Sequence, residues 1–526
     1  MGIEHILTLI LFVPTAGALV VALLPRHGRV IQWFTLLVTL ATFTLSLHLP
    51  AHFVYGHSGF QYEENRLWIA NPAIRYHVGV DGISIWLVVL TTLVAPIGVL
   101  SSWRAIESRT KEFYSLFLLQ QTAMLGVFVS LDLFLYYGFW ELSLVPMAIL
   151  IAMFGRGRGP QAALKFFVYT FVPSALFLVA IVWLYARTGT FDFVQLQQNL
   201  NGSAAALAPH ALMWVSLAFL VAFAVKVPVF PLHGWLGDAF SEAPTAVAMV
   251  LAGKLGLYSI LRFNLGLFPA QARRVAPWMI ALAVIGILYG ALVALVQRDL
   301  KRLLAFSTLS HLSFCILGIF CFAVAGVDGA VYQILNHGIS AGALFVLLGI
   351  LYERYGSYDM GSYGGLACKL PNMAALFVIT ALSLMGLPIL NGFVGEFLIL
   401  SGSFPGHPRW VAGATLGVIL GAAYLLTMIQ RVFYGPISTL VSARATPDVR
   451  LREHFALWPL ALLMVVMGVA SPYWTRAIDE GVTNLVSTMN EPDPEAASRL
   501  RVINGPVASS RYKATGKALE QHQEKP

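Results

Sequence analysis

Hydrophobic positions in this chain fall in long, nearly unbroken runs, not in the three-to-four spacing of amphipathic helices or the alternation of half-buried strands. Fourteen runs, at 3–24, 30–48, 84–103, 113–129, 131–153, 163–186, 211–231, 245–263, 275–297, 303–324, 331–352, 372–403, 410–434 and 456–475, are each of the order a helix needs to cross a hydrocarbon core, about 20 residues. The pattern predicts an all-α polytopic membrane protein with about 14 transmembrane helices, since helices satisfy their own backbone groups in lipid. Segment 49–83 carries Glu63, Glu64, Arg66 and Asp81 among aromatics and is expected as an ordered outer loop. Residues 476–526 turn polar, which suits a flexible or partner-bound C-terminal extension.

Two runs break the pattern. The seventh continues through KVPVFPLHGW, where Pro228 and Pro231 each remove a helical hydrogen bond. The twelfth is too long for one simple span and contains GLPILNGFVGEF, with Gly386, Pro388, Asn391, Gly392 and Gly395 close together. Broken helices at membrane depth are tolerated where protein or a water-filled cavity takes up the freed backbone groups. A pair of breaks, one in each half, is the pattern of transporters built from repeats with ion sites at the breaks.

Composition narrows the reading. With 58% hydrophobic and 11% charged residues in 526, the chain is too apolar for soluble domains. The formal charge of +8 is dispersed among loops and forms no stripe for nucleic acid. Cys315, Cys321 and Cys368 make no CxxC pair, so neither a disulfide framework nor an iron–sulfur or zinc site is expected, and they read as packing thiols. The start, MGIEHILTLILF, lacks a basic n-region and reads as a retained helix. Connections carrying Arg26, Arg29, Arg104, Arg156, Arg158, Lys301 and Arg302 hold more than twice the basic residues of the alternate set, which places them inside and both termini outside.

Titratable residues inside the runs carry the candidate chemistry. A charge at mid-membrane costs about 2.5–3.5 kcal/mol on insertion scales, so each one asks for a reason. Glu141 lies near the centre of the fifth run, Lys226 and Lys254 flank the first break, and Glu396 follows the second. His311 and His337 extend the set along the mid-plane, and Ser307, Ser310, Ser313, Tyr332 and Asn336 are placed to hold water. Burial disfavours the charged form of each group, so each can hold or release a proton according to its neighbours. Glu141 and Lys226 are expected to pair. Lys165, at an inner edge, reads as a snorkelling lysine. There is no Walker loop, no GxGxxG after a strand, no metal cluster and no haem-ligand pattern, so the chain is expected to carry no redox centre and no cofactor of its own.

FWELSLVPM, KVPVFPLHGWLGDAFSEAPT, GKLGLYSILRF, QRDLKRLLAFSTLSHL and GLPILNGFVGEFLILSGSF together resemble the NuoM-type antiporter-like subunits of respiratory complex I, the NADH:quinone oxidoreductase, over nearly all of residues 1–475. The resemblance implies fourteen helices, broken helices seven and twelve, and two inverted five-helix repeats at 113–263 and 275–434, with residues 1–112 before them and 456–475 as the last helix. It also implies a proton channel driven by quinone reduction in other subunits, a bacterial inner-membrane location and NuoL- and NuoN-like neighbours. The family's acid on helix five falls on Glu141, its lysines on Lys226 and Lys254, and its helix-twelve acid on Glu396. A glutamate there separates NuoM from NuoL, NuoN and Mrp sodium/proton antiporter subunits, where lysine is common. Gly237 and Phe240 stand where the family usually has proline and histidine, the spacing from Pro244 to Lys254 is a few residues shorter, and the tail is longer and more polar. An Mrp-type antiporter or membrane-bound hydrogenase subunit is the alternative reading, and a stand-alone solute carrier a third.

Overall fold

The computed structural model describes residues 5–57, 59–201, 208–251 and 254–490. Among them, 13 helices are long and apolar enough to cross a membrane. In chain order these are α1 (Ile6–Leu23), α2 (Gly28–Ala51), α3 (Ile85–Ser102), α4 (Thr110–Val129), α5 (Leu133–Phe154), α6 (Gly159–Thr188), α7 (Pro209–Lys226), α8 (Thr245–Leu265), α9 (Pro269–Val296), α10 (Leu300–Phe320) and α11 (Val324–Tyr355). The twelfth run forms two short helices, α12 (Pro371–Leu384) and α13 (Asn391–Ser403), and the last spans are α14 (Pro408–Phe433) and α15 (Leu451–Val469).

The spans sort by burial. In α8, α10 and α11, 94% of the most apolar stretch is buried inside the protein, against 33% in α6. The exposed side of α6 carries Leu164, Val168, Phe171, Val172, Leu176 and Val179, as expected of a helix facing lipid or a neighbouring subunit. The titratable residues Lys254, His311 and His337 therefore sit on the three helices most shielded from the surroundings.

Segment 49–83 is more regular than a loop. Strands β1 (Gln61–Ile69) and β2 (Ile74–Val80) pair antiparallel, with Gln61 opposite Val80 and Ile69 opposite Ile74. Between them lies Asn71–Pro72, residue types that favour turns. The hairpin is pinned to the helices where Leu131 N donates to His77 O (2.8 Å), and where His77 Nδ1 and Nε2 lie 2.5 Å from Asp192 and 2.9 Å from Glu63. Part of the expected C-terminal extension is also ordered. Pro472–Asn490 forms α16, an amphipathic helix that buries Ala477, Ile478, Val482, Val486 and Met489, and Gly82 fits so closely that a Cβ there would strike the Ala477 carbonyl. Residues 491–526 lie outside the described part of the chain.

One local construction occurs twice. Asp132 caps α5 by accepting from the Phe134 and Leu135 amides, and the preceding backbone bridges to Asp192 through Leu133 N to Phe191 O (2.9 Å) and Phe193 N to Leu131 O (2.8 Å). Asp299 caps α10 through the Lys301 and Arg302 amides, and bridges to Asp359 through Leu300 N to Tyr358 O (2.9 Å) and Met360 N to Arg298 O (2.8 Å). Between the two halves of each bridge a long helix ends on a glycine in the left-handed region, Gly189 at φ 74° and Gly356 at φ 72°. The same sequence spacing separates Asp132 from Asp299, Gly189 from Gly356 and Asp192 from Asp359.

Candidate proton-transfer site

The first cluster is built on two interrupted helices. Pro146 has no amide to offer the Leu142 carbonyl and crowds it, and α5 is broken at Ser143 between Leu133–Leu142 and Leu144–Phe154. Helix α7 ends at Lys226 because Pro228 follows; the Val229 amide reaches back to Ala224 O (2.8 Å), and the Trp235 indole donates to Val225 O (2.9 Å). The broken end is thus satisfied by its own chain, and its carbonyl dipoles favour a cation at Lys226. Lys226, 9% exposed, donates to Ser143 Oγ (2.6 Å) and Trp140 O (3.3 Å), with its ammonium 4.0 Å from the centre of the Trp140 ring.

Glu141 is the carboxylate whose charge acts on Lys226, but the two do not close into an ion pair. Glu141 is hydrogen-bonded by Ser174 of α6, and among the described residues no carboxylate lies within 4.0 Å of the Lys226 ammonium. The reason is rotational: Trp140 and Ser143 present their groups to α7, whereas Glu141, between them in sequence, points to a different side of α5. Lys165 forms an ion pair with Asp238 (2.7 Å) in a partly exposed setting, in keeping with its edge position.

A small cavity joins Lys226 to Lys254. It measures about 20 Å³ and is lined by Gln120, Ser143, Lys226 and Lys254 together with apolar side chains, including Met124 and Trp235. Lys254, 2% exposed, has no hydrogen-bond partner at Nζ. Its far side meets α11 at Gly338, where a Cβ would stand 2.9 Å from Cε and 3.0 Å from Nζ, so the missing side chain gives the lysine room against the helix that carries His337. Both ring nitrogens of His337 are buried without a partner, and its ring centre is 6.0 Å from that of His311.

The second cluster is closed. His311 Nδ1 donates to Glu396 Oε1 (2.9 Å), which also accepts from Gln333 Nε2 (3.2 Å). Tyr424 OH lies 3.2 Å from His311 Nε2 and 2.8 Å from Ser307 Oγ. The break between α12 and α13 makes room for the acid: Gly386, at φ 77°, sits where a Cβ would lie 2.8 Å from Glu396 Oε2. Asn336 holds the start of α13 through Asn391 O (2.7 Å).

The structure therefore brings Lys226 and Lys254 to one cavity, sets Lys254 beside the helix of His337, and joins His311 to Glu396, while Glu141 stands apart on Ser174. Of the hydroxyls expected to hold water, Ser310 and Ser313 are bound to backbone carbonyls of Ile287 and Leu309, and Tyr332 to that of Met467. Tyr424, Gln333, Ser143 and Ser174 enter the site unforeseen; as uncharged residues in apolar runs they carry no sequence signal until tertiary contacts are known. Lys301 is also buried, donating to the Ser241 and Ala243 carbonyls that end the short helix after the first break. Phe240 is fully buried and packs on Phe345 (5.3 Å).

Residues 130–421 match the family model described as NADH:quinone oxidoreductase/Mrp antiporter, transmembrane, and residues 8–131 that of the NADH-ubiquinone oxidoreductase chain 4 amino terminus. The chain is 40% identical to NADH-quinone oxidoreductase subunit M of Rhodobacter capsulatus, covering 92% of this chain and 96% of that one. It is 38% identical to subunit M of Escherichia coli, over 87% and 93%. Its fold is similar to a chain in the structure of respiratory complex I from Thermus thermophilus with bound NADH (TM-score 0.84, 31% identity, 92% and 100% covered). It also resembles a chain of the Mrp complex from Dietzia (TM-score 0.82, 23% identity, 93% and 98% covered), a likeness of fold. The chain belongs to the family of NADH-quinone oxidoreductase subunit M.

Proposed function

We propose that this chain is a proton-translocating membrane-arm subunit of an NADH:quinone oxidoreductase, with no redox centre or cofactor of its own. Its protons move through Glu141, Lys226, Lys254, His311, His337 and Glu396 under the drive of quinone reduction in other subunits. The observation that carries this reading is the buried series from Lys226 across the shared cavity to Lys254, past His337, to the bonded His311–Glu396 pair. Groups that can each accept or donate a proton, spaced for bridging water and screened from bulk solvent, are what transfer through a dry region requires. Glu141 is the local charge that can close on Lys226 or leave it, and closing holds the proton where opening releases it toward Lys254.

The duplicated bridge and glycine cap support two repeats of like construction, within 113–263 and 275–434, and passage through alternating spans would set them on opposite faces of the membrane. The charge bias supports a bacterial inner-membrane orientation with both termini outside, and the exposed apolar faces, such as that of α6, suit lipid and NuoL- and NuoN-like neighbours. Replacing Glu141 or Lys226 by a neutral residue should sharply lower NADH-driven proton pumping while the complex assembles in normal amount. Normal pumping in assembled variants would refute the proposal. The fold shared with the Dietzia chain favours one second reading, an Mrp-type antiporter or membrane-bound hydrogenase subunit, which sodium-dependent transport without NADH oxidation would support.

A further inference from the structure

Gln120 stands within α4, apart from the two broken helices. It is 3% exposed, its Oε1 has no hydrogen-bond partner, and it lines the cavity shared by Ser143, Lys226 and Lys254. A buried amide oxygen left unpaired is costly, and so is an unpaired ammonium or amine, yet two such orphans, Gln120 Oε1 and Lys254 Nζ, border one space. The other polar groups on that wall are engaged: Ser143 Oγ with Lys226 and Trp140 O, and the Trp235 indole with Val225 O. The cavity of about 20 Å³ exceeds the roughly 10–15 Å³ that one water needs. An amide oxygen only accepts, so the occupant must be able to donate to it and also meet a nitrogen that exchanges between donor and acceptor. Water does both.

We propose that Gln120 is a positioning residue that fixes one water between Lys226 and Lys254 and so sets the proton step from the first lysine to the second. The inference rests on the relay reading above. In the transfer arrangement the water accepts from the Lys226 ammonium and donates one hydrogen to Gln120 Oε1 and the other to the Lys254 amine. Lys226 gives its proton to the water oxygen as the water gives one to Lys254; one proton moves, the water is regenerated, and no electron is exchanged. Without the Gln120 acceptor, the water loses the bond that keeps its other hydrogen on Lys254. Gln121 provides an internal contrast. It is equally buried and unpartnered, but it lines a separate space of about 10 Å³ with Thr91, whose hydroxyl is spent on Leu87 O, and with no lysine.

The test uses the assembled complex. Gln120→Met preserves length and volume and removes the acceptor, Gln120→Glu retains an oxygen there, and Gln121→Met alters the adjacent position. Gln120→Met should slow the lysine-to-lysine transfer step by roughly tenfold, the scale set by losing a hydrogen bond in a charged network, and so lower proton flux at matched NADH oxidation. Gln120→Glu should recover most of the loss, and Gln121→Met should pump normally. A cryo-EM map resolving ordered water should show density within hydrogen-bonding distance of Gln120 and Lys254 in the unsubstituted complex, and none there in Gln120→Met. Normal pumping in Gln120→Met, equal losses in all three variants, or a direct Gln120–Lys254 bond with no water between them would overturn the proposal. Normal pumping in Lys254→Met would instead overturn the relay reading, and the water density would still decide whether Gln120 holds the site.

Discussion

The two ends of the buried series are built on the same scaffold and left in opposite states. Each half contains an aspartate-capped helix bridged to a second aspartate beyond a glycine-ended helix, and each contains a broken span. Yet Lys226 rests on a hydroxyl, a carbonyl and an aromatic face, with its acid turned away to Ser174, whereas Glu396 is held by an imidazole and an amide at once. The first end is an open pair and the second a closed one. The closed pair gives its buried carboxylate partners at contact distance, whereas Lys226 has only neutral groups at that distance. Under the proposed relay, the regulated step falls in the first half and storage in the second.

The largest effect expected from breaking this comparison is at the closed end. Glu396→Gln leaves His311 facing an amide in place of a carboxylate and should lower pumping by roughly a hundredfold, the scale of losing a positioned acid–base group. Proton flux measured in assembled complexes, with NADH oxidation recorded in parallel, tests it. Ser143→Ala removes a charge-assisted hydrogen bond from Lys226 and should cost roughly five- to tenfold in flux. If the open end is held chiefly by the Trp140 ring, Ser143→Ala will pump normally. Tyr424→Phe removes one neutral hydrogen bond from the far side of His311, worth about 0.5–1.5 kcal/mol, and should slow pumping by roughly threefold.

The smallest effect lies outside the membrane. Burial disfavours the charged ring of His77, but the hydrogen bond and charge of Asp192, with Glu63 beyond, outweigh it and hold its pKa above the ordinary histidine value. Burial likewise raises Asp192, and the His77 bond overcomes this to leave it below the usual carboxylate range. A raised histidine contributes stability that is present below its unfolded pKa and lost as pH rises through the folded one; a depressed aspartate contributes stability lost as pH falls through its folded value. Docking of β1 and β2 should therefore be firmest in mildly acidic conditions, loosening above the neutral range and again in strong acid. Hydrogen exchange over Gln61–Val80 measures this, and His77→Leu should remove the alkaline limb.

Much of this molecule was legible as sequence because lipid imposes simple rules. Runs of crossing length became helices, and charges placed against the cost of burial singled out Lys226, Lys254, His311, His337 and Glu396, which the structure buries within the helices. Prolines and glycines located both breaks. Direction around a helix was less legible: Glu141 and Lys226 both lie in apolar runs, but the Ser143 break turns Trp140 and Ser143 toward the lysine and leaves the carboxylate on Ser174. Uncharged partners were hidden for a different reason, since a Tyr424 or Gln120 in an apolar run looks like any tolerated polar residue until its neighbours are known. The hairpin at Gln61–Val80 escaped because its strands alternate poorly, and the fold draws them together through His77.

Lys254 is where the open and the closed ends meet. The most direct test of a single relay is the number of protons translocated per NADH oxidised by assembled complex carrying Lys254→Met, alone and combined with Lys226→Met. One continuous path predicts that Lys254→Met alone falls as far as Lys226→Met and that the double substitution falls no further; normal pumping in Lys254→Met, or losses that multiply in the double variant, would contradict it.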